Sequence, residues 1–164
     1  MPSGDPVLLL TGATGLVGGE LLQTLLASRP DRRVAILMRS RDKIAALAQR
    51  EQVTIIEGDL TRSALGLDST TLNQLQREVT EIIHCAAETR FDLPIEEARA
   101  TNARGTANVL RVAQACTRLE KLAHLSTVYV SGRTTGLILE ERLSNREGFV
   151  QIIGSWSGEL HADE

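Results

Sequence analysis

Short, wholly apolar runs alternate along this chain with segments whose apolar residues recur every three or four positions. Val7-Leu8-Leu9-Leu10 is the first such run, and its uniform character predicts a strand covered on both faces. Over 15–28, Leu16, Val17, Leu21, Leu22, Leu25 and Leu26 follow helical spacing, and Pro30 and Asp31 close the helix. Residues 34–38 predict a second strand, 41–50 an alanine-rich helix, and 53–56 a third strand ending at Gly58-Asp59-Leu60. Within 61–80, Leu72, Leu75 and Val79 predict a short helix. A fourth strand over 82–86, a long helix over 95–117 and a fifth strand over 122–126 complete the pattern, which fades after Tyr129. Strands alternating with helices predict an α/β fold, a doubly wound parallel sheet of about five strands with helices on both faces.

Bulk properties narrow the function classes. The 164 residues are 42% hydrophobic and 24% charged, which suits one soluble domain with a real core. A net charge of −3 with scattered arginines gives no electrostatic support to nucleic-acid or anionic-membrane binding. No apolar run approaches the ~18 residues of a membrane span. Residues 1–6, with Asp5 among them, do not resemble a signal peptide. Cys85 and Cys116 lie in apolar stretches without metal-ligand spacing, so they read as reduced core residues in a cytoplasmic protein with no metal site.

The first candidate chemistry is the loop Thr11-Gly12-Ala13-Thr14-Gly15-Leu16-Val17-Gly18. Its G-x-x-G-x-x-G spacing is weak alone, but here a predicted strand precedes it and a predicted helix begins within it. Gly12 allows a tight turn, Gly15 lets a pyrophosphate approach the backbone, and Gly18 lets helix and strand pack closely. Free N–H groups at the helix start would face the phosphates of a dinucleotide, making this a Rossmann-type unit. An acid at the end of the second strand would bind a ribose 2′-hydroxyl, whereas Arg39 and Arg41 stand there instead, favouring NADP over NAD. On the long helix, Ala98, Asn102, Gly105, Val109, Val112 and Cys116 form one stripe, which predicts that Asn102 faces the sheet. A buried amide there must meet backbone groups or an ordered water, tying helix to sheet or serving the active site. His84 and His124 read as strand side chains rather than as an acid or base.

Several of these motifs, in order, resemble the extended short-chain dehydrogenase/reductase superfamily. Besides the glycine loop, Gly58-Asp59-Leu60 is similar to its strand-end motif, whose Asp and Leu flank the adenine. His84-Cys85-Ala86-Ala87 resembles its fourth-strand motif beside the cofactor ribose, and Asn102-Ala103-Arg104-Gly105-Thr106 its Asn-x-x-Gly-Thr helix motif. His124-Leu125-Ser126-Thr127-Val128-Tyr129-Val130 is similar to its fifth-strand motif, which carries a catalytic hydroxyl, aligned here with Thr127 in preference to Ser126. Ala87-Glu88-Thr89-Arg90-Phe91-Asp92, and the run from Ser126 to Gly132 followed by Gly136 and Glu140, resemble the thioester-reductase and fatty-acyl-CoA-reductase branch, which includes the "male sterility" proteins. That resemblance, over residues 7–150, implies hydride transfer from NADPH to an acyl thioester or related carbonyl. It implies cofactor contacts from Thr11, Gly12, Thr14, Gly15, Leu16, Val17, Gly18, Arg39, Arg41, Asp59, Leu60, Ala86, Ala87 and Asn102, with Thr127 catalytic and Asn102 supporting it.

The family's Tyr-x-x-x-Lys pair is absent from these residues. The single tyrosine, Tyr129, has Arg133 four positions on, and the lysines are Lys43 and Lys121. After Gly148-Phe149-Val150 the resemblance stops. The expectation is therefore an NADP-binding domain over 1–150, a divergent tail over 151–164 and no substrate domain. The chain is expected to be an amino-terminal fragment, inactive by itself and prone to self-association through an open sheet edge. A sugar-nucleotide epimerase or dehydratase and a non-catalytic dinucleotide-binding module are the alternatives. The first would more often carry an acid where Arg39 stands.

Overall fold

A computed structural model describes residues 6–40, 50–127 and 136. Strand β1 (Val7–Thr11) leads into helix α1 (Leu16–Ser28), followed by β2 (Arg33–Met38) and β3 (Val53–Glu57). A short turn of 3₁₀ helix (Ser63–Gly66) then precedes α2 (Ser69–Glu78) and β4 (Val79–His84). Next come α3 (Ile95–Arg99), a π-helical turn (Ala100–Gly105), α4 (Thr106–Ala115) and β5 (Lys121–His124). The strands form one sheet in the order β3-β2-β1-β4-β5, every pairing parallel. The fold is thus the expected Rossmann-like α/β sheet.

The apolar runs explain the layering. Successive side chains of a strand point to opposite faces, and the core splits accordingly. Leu8 and Leu10 of β1 join Leu22 and Leu26 of α1 and Val34, Ile36 and Met38 of β2 on one face. Val7 and Leu9 join Ala35, Leu37, Ile82, Leu75 of α2, and Val109 and Val112 of α4 on the other. Both faces of β1 are therefore covered, which is why all five of its residues are buried. Among the described residues no helix is long and apolar enough to cross a membrane.

Two local expectations change, and a third lies outside the described residues. The helix before the fourth strand ends at Glu78, and Val79 is the first, fully buried residue of β4, not a helical one. Salt bridges from Arg33 to Glu78 (3.1 Å) and from Arg32 to Glu81 (2.8 Å) fasten this junction to β2. The predicted helix over 41–50 falls almost entirely outside the described residues. The long helix is interrupted by the π turn, which accommodates an extra residue and rotates what precedes it by roughly 100° about the axis. Gly105, Val109 and Val112 remain buried, but Asn102 is exposed.

The buried amide is instead Asn108. Its Nδ2 donates to the carbonyls of Leu60 (2.8 Å) and Arg62 (3.1 Å), while its Oδ1 accepts from Arg111 (2.9 Å). Those carbonyls belong to a turn in which Ala64, Leu65 and Gly66 all adopt left-handed backbone angles. Asn108→Ala is expected to cost about 1–3 kcal/mol, because two partly buried carbonyls lose their donor. Denaturant unfolding of wild type and variant measures this, and equal midpoints would show the tie to be dispensable.

Candidate functional site

Strand order reverses between β1 and β4, so the crevice of the sheet opens at the carboxyl ends of these two strands. The residues after β1 and after β4 meet there. Cys85 N–H donates to the Thr11 carbonyl (3.2 Å), and Ala86 N–H to Thr11 Oγ1 (3.3 Å). Gly12 follows with φ +78°, and a Cβ built on it would lie 2.5 Å from Ala86 N and 2.6 Å from the Cys85 carbonyl carbon. Both the positive φ and this approach require glycine.

Gly18 closes the other side of the turn. A Cβ there would lie 2.2 Å from the Gly12 carbonyl oxygen. Gly15 N–H donates to that same oxygen (3.0 Å), and Gly15 caps α1 in an extended conformation. Thr14, Gly15, Leu16 and Val17 are exposed, Leu16 at 85% of its surface. The first turn of α1 carries no acidic side chain. The first N–H groups of a helix lack intrahelical partners and sit at its positive dipole end. Here they open to solvent over a loop of bare backbone, an arrangement suited to an anionic, phosphate-like group.

At the carboxyl ends of β2 and β3, Arg39 is exposed and Asp59 half-buried. Asp59 Oδ1 accepts from the Thr61 amide (2.9 Å) and hydroxyl (2.8 Å). The Thr61 amide foremost, with its hydroxyl and the charges of Arg39 and Arg62, holds the Asp59 carboxyl below its usual range against the opposing effect of burial. Leu60 packs into the core and against Gly105, whose Cβ would lie 3.3 Å from it. Arg41 lies outside the described residues, as do Tyr129 and the stretch 151–164.

His84 ends β4 and is 1% exposed. Its Nδ1 is 2.6 Å from Thr11 Oγ1 and its Nε2 3.0 Å from Thr106 Oγ1. Its ring stacks on His124 of β5 at 5.0 Å between centroids. Burial foremost, then the charge His124 would carry, lowers the His84 pKa to about 4, so the ring is neutral at pH 7. Asn102 lies close by but not against the sheet. Its Oδ1 accepts from Glu88 N–H (2.7 Å) and its Nδ2 donates to the Glu88 carbonyl (2.8 Å), so it clasps the irregular stretch after β4. Ala86 in that stretch is half-buried and Ala87 exposed. Leu125 N–H donates to the His84 carbonyl (2.9 Å), and the exposed Ser126 and Thr127 follow at the same end of the sheet.

The predicted site residues that are described therefore gather along the carboxyl ends of the strands. The helix stripe misses Asn108 and the role of Thr106. The signal for Thr106 is that it closes the Asn-x-x-Gly-Thr motif four residues after Asn102, whose carbonyl accepts from its hydroxyl (2.7 Å). Cys85 and Cys116 are free thiols, and burial raises both pKa values, that of Cys116 to about 11.

Residues 10–162 match the family model described as male sterility protein, an NAD-binding model. The chain is 29% identical to fatty acyl-CoA reductase 1 of Arabidopsis thaliana, over 84% of this chain and 34% of that protein. It is 30% identical to the alcohol-forming fatty acyl-CoA reductase of Simmondsia chinensis, over 84% and 34%. Among solved structures, the terminal R domain of the myxalamid PKS-NRPS biosynthetic pathway superposes with a TM-score of 0.67 at 34% identity, over 78% of this chain and 36% of that one. The chain thus spans about a third of the length of these relatives.

Proposed function

Because the chain belongs to the male sterility protein family, we propose that residues 1–150 form the nucleotide-holding domain of an NADP-dependent reductase acting on acyl thioesters. One observation carries this reading: the close-packed loop of Gly12, Gly15 and Gly18 beneath the open amino end of α1, at the switch point of the sheet. Its bare backbone leaves room for a pyrophosphate, and the helix N–H groups supply donors. Thr11, Thr14, Leu16 and Val17 complete that cradle. Asp59 and Leu60 border the adenine, Ala86 and Ala87 the nicotinamide-side ribose, and Arg39 with Arg41 the 2′-phosphate. The absence of an acid at the end of β2, where Arg39 stands, supports NADP over NAD. When bound, the nicotinamide supplies a hydride. Thr127, in preference to Ser126, would hydrogen-bond the substrate carbonyl, with Asn102 supporting it through the 85–90 stretch. The free thiols suit a cytoplasmic setting.

Within these 164 residues Tyr129 has no lysine four positions on. Turnover of an acyl thioester by this chain alone is therefore expected to be slow, and nucleotide binding is the property to measure. Calorimetric titration should give tighter binding of NADPH than of NADH. Arg39→Asp should weaken NADPH roughly ten- to a hundredfold, the worth of a hydrogen bond to a charged group, and leave NADH little changed. Equal affinities for the two nucleotides, or no response to Arg39→Asp, would refute the NADP assignment.

A further inference from the structure

Between the glycine loop and α4 runs an unbroken chain of hydrogen bonds whose direction is determined at both ends. At one end Ala86 N–H can only donate, and Thr11 Oγ1 accepts it (3.3 Å). At the other the Asn102 carbonyl can only accept, and Thr106 Oγ1 donates to it (2.7 Å). With its one proton directed at Asn102, Thr106 Oγ1 must accept from His84, so His84 Nε2 bears hydrogen (3.0 Å). A neutral imidazole then has a bare Nδ1, which accepts the Thr11 hydroxyl proton (2.6 Å). Every member is satisfied in this arrangement and in no other with a neutral ring. A charged ring would set an N–H against Thr11 and leave that hydroxyl without an acceptor. The stacked His124 ring would also oppose the charge.

The chain links segments that no single element holds together. Thr11 immediately precedes Gly12, Ala86 lies against Gly12, and Asn102 clasps Glu88 two residues further on. We infer that His84 is a positioning residue, held as the neutral Nε2–H tautomer, which locks the 85–88 segment against the glycine loop and thereby sets the affinity of the cleft for its nucleotide. The last clause rests on the nucleotide reading above, whereas the locking does not. The ring touches neither substrate nor cofactor in this role, which is distinct from acid–base catalysis.

The experiment uses the full chain with ¹⁵N-labelled histidine. Nitrogen spectra at pH 7 should show His84 as a single Nε2–H tautomer. An Nδ1–H tautomer, an averaged signal or an imidazolium would overturn the proposal, whether or not any variant folds. Thr106→Val should then mix the tautomers, speed amide exchange at Ala86–Glu88 about tenfold and weaken NADPH about tenfold, each change being the worth of one hydrogen bond. Thr106→Ser, which keeps the hydroxyl, should restore all three. Unchanged tautomer and exchange in Thr106→Val, or equal loss in the Val and Ser variants, would also overturn the locking role. If the wild-type chain bound no NADPH, the nucleotide reading would fail. Tautomer and exchange in the nucleotide-free protein would still decide the role of His84.

Discussion

Gly18→Ala is expected to destabilise the protein by about 2–3 kcal/mol and to abolish nucleotide binding, while Gly19→Ala, one residue along the same helix, is expected to stabilise it by about 0.5–1 kcal/mol. The two glycines share a sequence context but differ in what their missing Cβ would meet. At Gly18 the new carbon would stand 2.2 Å from the Gly12 carbonyl oxygen, 2.7 Å from its carbon and 3.2 Å from Ala13 N. All three are backbone atoms of the loop, so the clash is relieved only by moving the loop off Ala86, away from the shape proposed to hold the pyrophosphate. At Gly19 the nearest atom is the Ala13 carbonyl oxygen at 3.5 Å, an ordinary contact. There alanine simply reduces the freedom of the unfolded chain and favours the helix. Thermal unfolding of the two variants, each paired with an NADPH titration, checks the prediction. Shifts of the same sign would mean that α1 does not approach β1 as closely as described.

Acidification from about pH 6.5 to pH 4 is expected to remove about 3 kcal/mol of stability through His84 alone. In the fold its pKa is lowered to about 4, by burial first and then by His124, whereas in the unfolded chain it is near 6.5. Between these values the unfolded chain binds the proton and the folded one does not. Stability therefore rises with pH across this window, is fully present above it and is lost as pH falls through it. The carboxyls of Asp59, Asp68 and Glu88, held below their usual range chiefly by backbone N–H groups, also favour the fold as pH rises, but their effect falls at and below the acid end of the window. Denaturant midpoints at several pH values from 7 to 4 should show the slope, and His84→Gln should flatten it. A variant with the wild-type slope would assign the acid sensitivity elsewhere.

The layering was legible because it is encoded locally. A run such as Val7-Leu8-Leu9-Leu10, short and bounded by a glycine loop, suits a strand covered on both faces. The spacing of Gly12, Gly15 and Gly18 likewise marks a strand-to-helix turn. The sequence by itself therefore determined the α/β alternation, the place of the close-packed glycine loop between β1 and α1, and the presence of Arg39 rather than an acid after β2. The direction of Asn102 was not legible in this way. A regular period puts it on the buried stripe, but the π turn at Ala100–Gly105 changes the phase, exposes it and gives it the Glu88 backbone instead. Val79 fits a helical period as well as a strand, and its place was decided by pairing with Val7. Nor does local sequence single out Asn108, since its partners lie 46 and 48 residues away. Tertiary structure alone decided that His84 joins Thr11, 73 residues before it, to Thr106, 22 residues after it. Hydrogen-bond partners of buried groups are set by which distant strands and helices come into register, and local periodicity carries no information about that.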